Sequence, residues 1–261
     1  FMRAHLAAAT EAAIAAGDLR WGIVGVSLRQ PDTRDALAPQ DGLYTLAIRD
    51  ADAQGQPRQR LQVIGAVTRL LVAPDNPQAV LDAIAAEDTR IVSLTVTEKG
   101  YCHDPATGAL RLDHPDIVQD LAHPATPRSA IGLLVYGLQL RFAHGHGPLT
   151  LMSLDNLPAN GRVLRGAVLR FAESVDPALA RRIAADCRFP CSMVDRIVPR
   201  TTDADRATVS EALGCEDRRP VLGEPLCHGA GDDHVAADRA RRRDDQHAPE
   251  RARATRRQFL L

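Results

Sequence analysis

Residues 77–97, PQAVLDAIAAEDTRIVSLTVT, hold a helix and a strand side by side. Pro77 suits a first helical turn, where its fixed φ helps and its missing N–H costs nothing. Residues 90–97, RIVSLTVT, then run apolar and β-branched, which is the pattern of a strand buried on both faces. This is the strongest buried-strand signal in the chain. A sheet buried on both faces is a parallel sheet flanked by crossover helices.

The same alternation extends in both directions. Residues 2–17 read as an Ala-rich helix stopped by Gly17, and 21–28, WGIVGVSL, as a second buried strand. A short helical piece follows over 33–38, then a strand over 42–49, the turn chemistry of ADAQGQPRQ, and a returning hairpin strand over 60–67. Downstream, 129–145 has the apolar spacing of an amphipathic helix. PLTLMS (148–153) is a strand, 161–175 and 177–187 are helices, and CSMVDRIV (191–198) is a further strand. Strands alternating with helices of this length predict an α/β fold with a mostly parallel sheet.

Composition excludes several classes. The 261 residues are 45% hydrophobic and carry a net charge of −1, so no global field points to nucleic acid or an anionic membrane. No apolar run reaches the ~20 residues of a membrane-spanning helix, and the N-terminal stretch lacks the pattern of a secretory signal. The five cysteines are an odd number without a disulfide framework, which predicts a cytoplasmic protein. No zinc-type spacing appears among Cys102, Cys187, Cys191 and Cys227, so no metal is expected. Residues 144–147, HGHG, read as a helix end and turn. Lys99 is the only lysine. From residue 223 onward the chain is crowded with Arg, Asp, Ala and His and lacks apolar periodicity until its last three residues. The expected division is a dinucleotide-binding domain over 1–222 and a disordered or irregular charged tail over 223–261.

Several of these segments together resemble the long-chain polyol dehydrogenases, the family of mannitol 2-dehydrogenase and fructuronate (mannonate) reductase. The resemblance rests on FMRAH, DLRWGIVGVSLRQPDTRDALAPQDGLYTL, IVSLTVTEKGYC, SLDNLPANG and FPCSMVDRIVPRTT, in that order, from Phe1 to about Pro225. It implies a Rossmann-type sheet, metal-free chemistry and NAD as cofactor. It also implies that the family's first strand and glycine-rich turn, and its helical C-terminal domain with a lysine base, are missing. Beginning on Phe1, the chain is expected to be a piece of a longer protein.

Candidate site residues follow. Asp32, just after the second strand of such a fold, stands where the acid that binds the adenosine ribose is placed, and it selects NAD over NADP. Its other reading is a cap for the helix over 33–38. Thr97, Glu98 and Lys99 follow the strongest strand and face the ligand crevice, or Glu98 and Lys99 form a solvated loop pair worth little. Arg3 and His5 match the family's Arg-Ala-His and line the cofactor region, or sit exposed on a frayed helix. Asn156, from the family's DNLP, belongs at the nicotinamide and substrate end, because an amide donates and accepts without titrating. Asp155 beside it is local structure. Asp195, in MVDRIVP, matches a residue close to substrate, or pairs with Arg196. The expected function is an NAD-dependent oxidoreductase acting on a polyol or sugar acid, mannitol/fructose or mannonate/fructuronate, impaired by truncation. The alternative is an inactive dinucleotide-binding remnant.

Overall fold

The computed structural model describes residues 2–51, 54–193, 198–224 and 257–260. Helix α1 (Leu6–Ala15) leads into strand β1 (Trp21–Ser27) and the short helix α2 (Asp32–Leu37). Strands β2 (Tyr44–Ala51) and β3 (Pro57–Ile64) form the expected antiparallel hairpin, with Tyr44 opposite Ile64. Strand β4 (Val67–Val72), helix α3 (Pro77–Ala85) and strand β5 (Thr89–Leu94) follow, then helices α4 (Pro115–Ala122) and α5 (Ala130–Ala143). Strand β6 (Thr150–Ser153) precedes helices α6 (Asn160–Val175), α7 (Pro177–Asp186) and α8 (Asp203–Leu213). The last described strands are β7 (Val221–Gly223) and β8 (Arg257–Leu260).

Five parallel strands make the main sheet in the order β4-β1-β8-β5-β6. A smaller sheet, β3-β2-β7, joins the hairpin to β7 in parallel. Both faces of the main sheet are covered, which explains the unbroken apolar run of β1. Ile23 packs with α1, Tyr44 and Leu46, whereas its neighbour Val24 packs with α3 and α5. Successive side chains of a strand point to opposite faces, so both must be apolar here. Helices α3 and α5 approach so closely that a Cβ on Gly137 would lie 2.6 Å from Ile84.

The helix starts follow local chemistry. Asn76 caps α3 by accepting from the Ala79 N–H at 2.9 Å, and Ser129 caps α5 by accepting from Gly132. Helix α8 opens with a capping box, Thr202 and Asp205 bonding reciprocally, and ends on Gly214 at φ +71°.

Three differences from the sequence reading have physical causes. The returning strand expected over 60–67 ends at Ile64, and the chain crosses to the main sheet at Gly65-Ala66. The Gly65 N–H is taken by Glu11 Oε2 at 2.8 Å, and Val67 restarts in register with Ile23. The strand expected over 90–97 ends at Leu94, because the next amides are claimed by a carboxylate described below. For the strand expected over 191–198, Cys191–Met193 carry no strand and residues 194–197 lie outside the described residues. Of the tail, Arg257–Leu260 form β8 in the middle of the main sheet, between β1 and β5. Their main chain satisfies the main-chain groups that two flanking strands present, and nothing in the charged residues before it signals this pairing.

Candidate active site

A cleft of about 730 Å³ opens at the carboxyl ends of β1 and β5. The chain leaves β1 toward β4 on one side and β5 toward β6 on the other, so the cleft sits where the strand order reverses. Ligands of open α/β sheets bind at this position. Ser27–Gln30 and Thr33 form one wall, Leu94–Thr97 with Lys99 and Gly100 the other. Met2 and Arg3, ahead of α1, close one side, and Arg128 and Ser129 at the start of α5 close another.

Of the expected site residues, Arg3, Thr97 and Lys99 line this cleft together. The Arg3 guanidinium lies 5.5 Å from the Tyr44 ring centroid and donates to the Arg219 carbonyl at 3.2 Å, while the Tyr44 hydroxyl donates to the Arg3 carbonyl at 2.7 Å. Burial lowers the Arg3 pKa. Arg3 therefore ties the start of α1 to the smaller sheet as well as facing the cleft. Asp32 is exposed in the first turn of α2, between the cleft residues Gln30 and Thr33. Pro31, not Asp32, holds the cap position, and no side chain caps that end. Glu98 is exposed on the 3-10 turn Glu98–Tyr101, outside the lining residues. His5, just before α1, and Asn156, exposed beyond β6, also stand outside the lining. Asp195 lies outside the described residues.

The group that organises this end of the sheet is Asp155. Its Oδ2 accepts from the Val96 N–H at 3.0 Å and its Oδ1 from the Thr97 N–H at 3.0 Å. The Tyr101 hydroxyl donates to Oδ2 at 2.7 Å and lies 2.5 Å from the Ser153 hydroxyl. Burial pushes the Tyr101 pKa well up, so the phenol keeps its proton. Thr97 has φ +62° and ψ 167°, a region that costs a residue with a Cβ about 1–3 kcal/mol.

Asn160 completes the support. Its amide donates to the carbonyls of Ser153, Asp155 and Ser192 at 3.0–3.2 Å, and its oxygen accepts from the Ser192 N–H at 3.0 Å. A Cβ on Gly161 would fall 2.5 Å from the Pro190 carbonyl, so close backbone approach requires a glycine beside Asn160. Sequence reasoning missed Asn160. The signal was the Asn-Gly pair itself, which reads equally as a turn.

Cys102, His114 and Asp116 bring one ligating atom each within 4.8 Å of one another. Their spacing gave no metal signal because a loop joins them: the Arg111 N–H donates to the Cys102 carbonyl and His103 bridges Leu110. Each already has a structural partner or environment. His114 Nδ1 accepts from the Asp116 N–H as the α4 cap, Asp116 pairs with Arg29 at 3.5 Å, and burial pushes the Cys102 thiol up to about 11.

Residues 1–239 match the family described as the mannitol dehydrogenase Rossmann domain. The chain belongs to the mannitol dehydrogenase family. It is 44% identical to a mannitol 2-dehydrogenase of Phaeosphaeria nodorum over 228 residues, 86% of this chain and 39% of that protein. A mannitol dehydrogenase of Saccharomyces cerevisiae is 39% identical over 92% of this chain and 47% of its own length. Among solved structures, the Pseudomonas fluorescens mannitol 2-dehydrogenase in ternary complex with NAD and D-mannitol matches with a TM-score of 0.81 and 42% identity. That match covers 87% of this chain and 46% of that one. The chain thus spans less than half the length of these relatives, and its fold is that of the family's Rossmann domain. Among the described residues, no helix is long and apolar enough to cross a membrane.

Proposed function

We propose that this chain is the dinucleotide-binding part of an NAD-dependent oxidoreductase acting on a polyol. The observation that carries the proposal is the cleft at the strand-order reversal, in a fold shared with an enzyme crystallised with NAD and D-mannitol. The residues present fit the cofactor. Asp32 offers an exposed carboxylate at the carboxyl end of β1 for ribose hydroxyls and against a 2′-phosphate. Lys99 and Arg3 give the cleft positive charge to meet phosphates, and Thr97 adds a hydroxyl.

NAD, when bound, accepts hydride at nicotinamide C4 from a carbinol carbon. In this reading this chain's residues orient the cofactor: Arg3, Thr97 and Lys99 from the cleft lining, with Glu98 and His5, outside the lining, as further cofactor-side candidates. Asn156 then hydrogen-bonds the reacting oxygen, and Asp195 is a substrate-side candidate on its match to the family motif alone. The hydroxyl proton passes to a base that this reading places in the further part of the relatives' length. The names of the relatives favour mannitol, which makes mannitol/fructose the first pair of this reading and mannonate/fructuronate the alternative.

Fluorescence titration of the purified chain with NADH, and NADPH alongside, tests this. Saturable binding with preference for NADH is expected. Asp32→Ala should weaken NADH about tenfold, as for one hydrogen bond to a charged group, and erase the preference. Absence of NADH binding by the unsubstituted chain overturns the reading.

A further inference from the structure

The geometry points to Asp155 as a positioning residue that holds the Val96–Gly100 wall of the cofactor cleft in a strained shape the wall would not otherwise keep. The inference rests on the oxidoreductase reading above. It begins where the β5–β6 ladder stops. The last regular pair is Leu94 with Ser153, followed by one more bond from the Leu154 N–H to the Leu94 carbonyl at 2.8 Å. Beyond it the two carboxylate oxygens of Asp155 accept from the Val96 and Thr97 amides at 3.0 Å each. The side chain thus acts as an extra rung of the ladder, but a rung with charge. An ionised acceptor binds amides more strongly than a neutral carbonyl does.

What this rung holds is unusual. Thr97, at φ +62°, occupies a region that favours glycine, and the surroundings must enforce it. The same carboxylate takes the Tyr101 hydroxyl at 2.7 Å, so both ends of the Thr97–Tyr101 turn are fixed to one group. Asn160 fixes that group in turn through the Asp155 carbonyl at 3.1 Å. Thr97, Lys99 and Gly100 line the cleft, and Asp155 does not. Its role is to set the wall, and Asn156 beside it is left exposed.

A double-substitution cycle separates this from a generic loss of stability. Asp155→Ala should weaken NADH about tenfold, the factor of about 1.4 kcal/mol. It should also speed amide exchange at Val96 and Thr97 at least about tenfold, since the exchange rate reports the lost bonds. Thr97→Gly removes the strain together with a cleft hydroxyl, so its own NADH affinity is the reference for the double variant. In the double variant, the loss on removing Asp155 should fall to within about twofold of Thr97→Gly alone, a rescue that a merely structural role would not produce. Asp155→Asn, which keeps one acceptor and the side-chain volume, serves if the alanine variant does not fold, and should show the same pattern at smaller amplitude. Unchanged exchange at Val96 and Thr97, or no rescue by Thr97→Gly, overturns the inference while NADH binding by the unsubstituted chain stands. Failure of the unsubstituted chain to bind NADH overturns the oxidoreductase reading and the cofactor role of Asp155 with it. The exchange measurement then still reports whether the clamp exists.

Discussion

Arg141 shows how one residue in α5 serves a distant element. It is fully buried, and its guanidinium donates to the Ala86 carbonyl at the end of α3 and to the Gly147 carbonyl, with longer contacts to Ile84, Ala85 and Glu87. These are the carbonyls that a helix leaves unpaired at its C-terminus, and Arg141 supplies them with a forked cation. Burial lowers its pKa, yet the group stays charged because its ordinary value is so high. Lysine places all its donors on one nitrogen and lacks the fork by which Arg141 reaches Ala86 and Gly147 from separate nitrogens. Arg141→Lys should therefore cost about 2–3 kcal/mol, the range for hydrogen bonds to a charged group, as measured by urea unfolding. At this scale the sequence was only partly legible. An arginine at the end of an apolar helix reads as solvated, and only the packing of α3 on α5 shows that it is enclosed. Asp155 was ambiguous for a similar reason, since its partners lie about sixty residues away.

At the scale of elements, local chemistry carried most of the information. Pro77 after Asn76, Ser129 before the apolar run of α5, and Pro177 after Asp176 mark helix starts that the structure reproduces. Helix α8 carries the clearest cap. Asp205 accepts from the Thr202 N–H at 2.9 Å and the Thr202 hydroxyl at 2.6 Å, and pairs with Arg49 of β2 at 2.6 Å, which lowers its pKa to about 2. A depressed carboxylate stabilises the fold above its unfolded value, and that contribution is lost as pH falls from about 4 through about 2. Asp205→Asn should cost about 1 kcal/mol at neutral pH, in the usual range for a cap, and the difference from the parent should shrink as pH falls toward 2. Thermal melts at a series of pH values would show it. Element ends were less legible where a tertiary partner decided them. RIVSLTVT stays strand-like to Thr97 by propensity, but the Asp155 carboxylate and the positive φ of Thr97 end it at Leu94.

At the scale of the whole molecule, the placement of β8 decides how the sheet closes. Ile23 and Ile91 both stand opposite Phe259 in parallel register, so β8 joins the two halves of the sheet. A proline there cannot donate to either ladder. Phe259→Pro should lower the melting temperature by at least about 2 °C, the shift for 1 kcal/mol in a chain of this size. An unchanged melting curve would show that residues 257–260 contribute nothing to the sheet. The sequence by itself determined the α/β class, the parallel strands β1, β5 and β6 and the β2–β3 hairpin, and it put Thr97 and Lys99 at a strand end by the cleft. Periodicity, caps and strand ends are local properties, whereas Arg3 was legible only through the family resemblance. Only the tertiary structure decided the crossing between sheets at Gly65, the enclosure of Arg141, the clamp at Asp155 and the seat of β8. Each of these depends on which distant groups the fold brings together, and no window of sequence contains both partners.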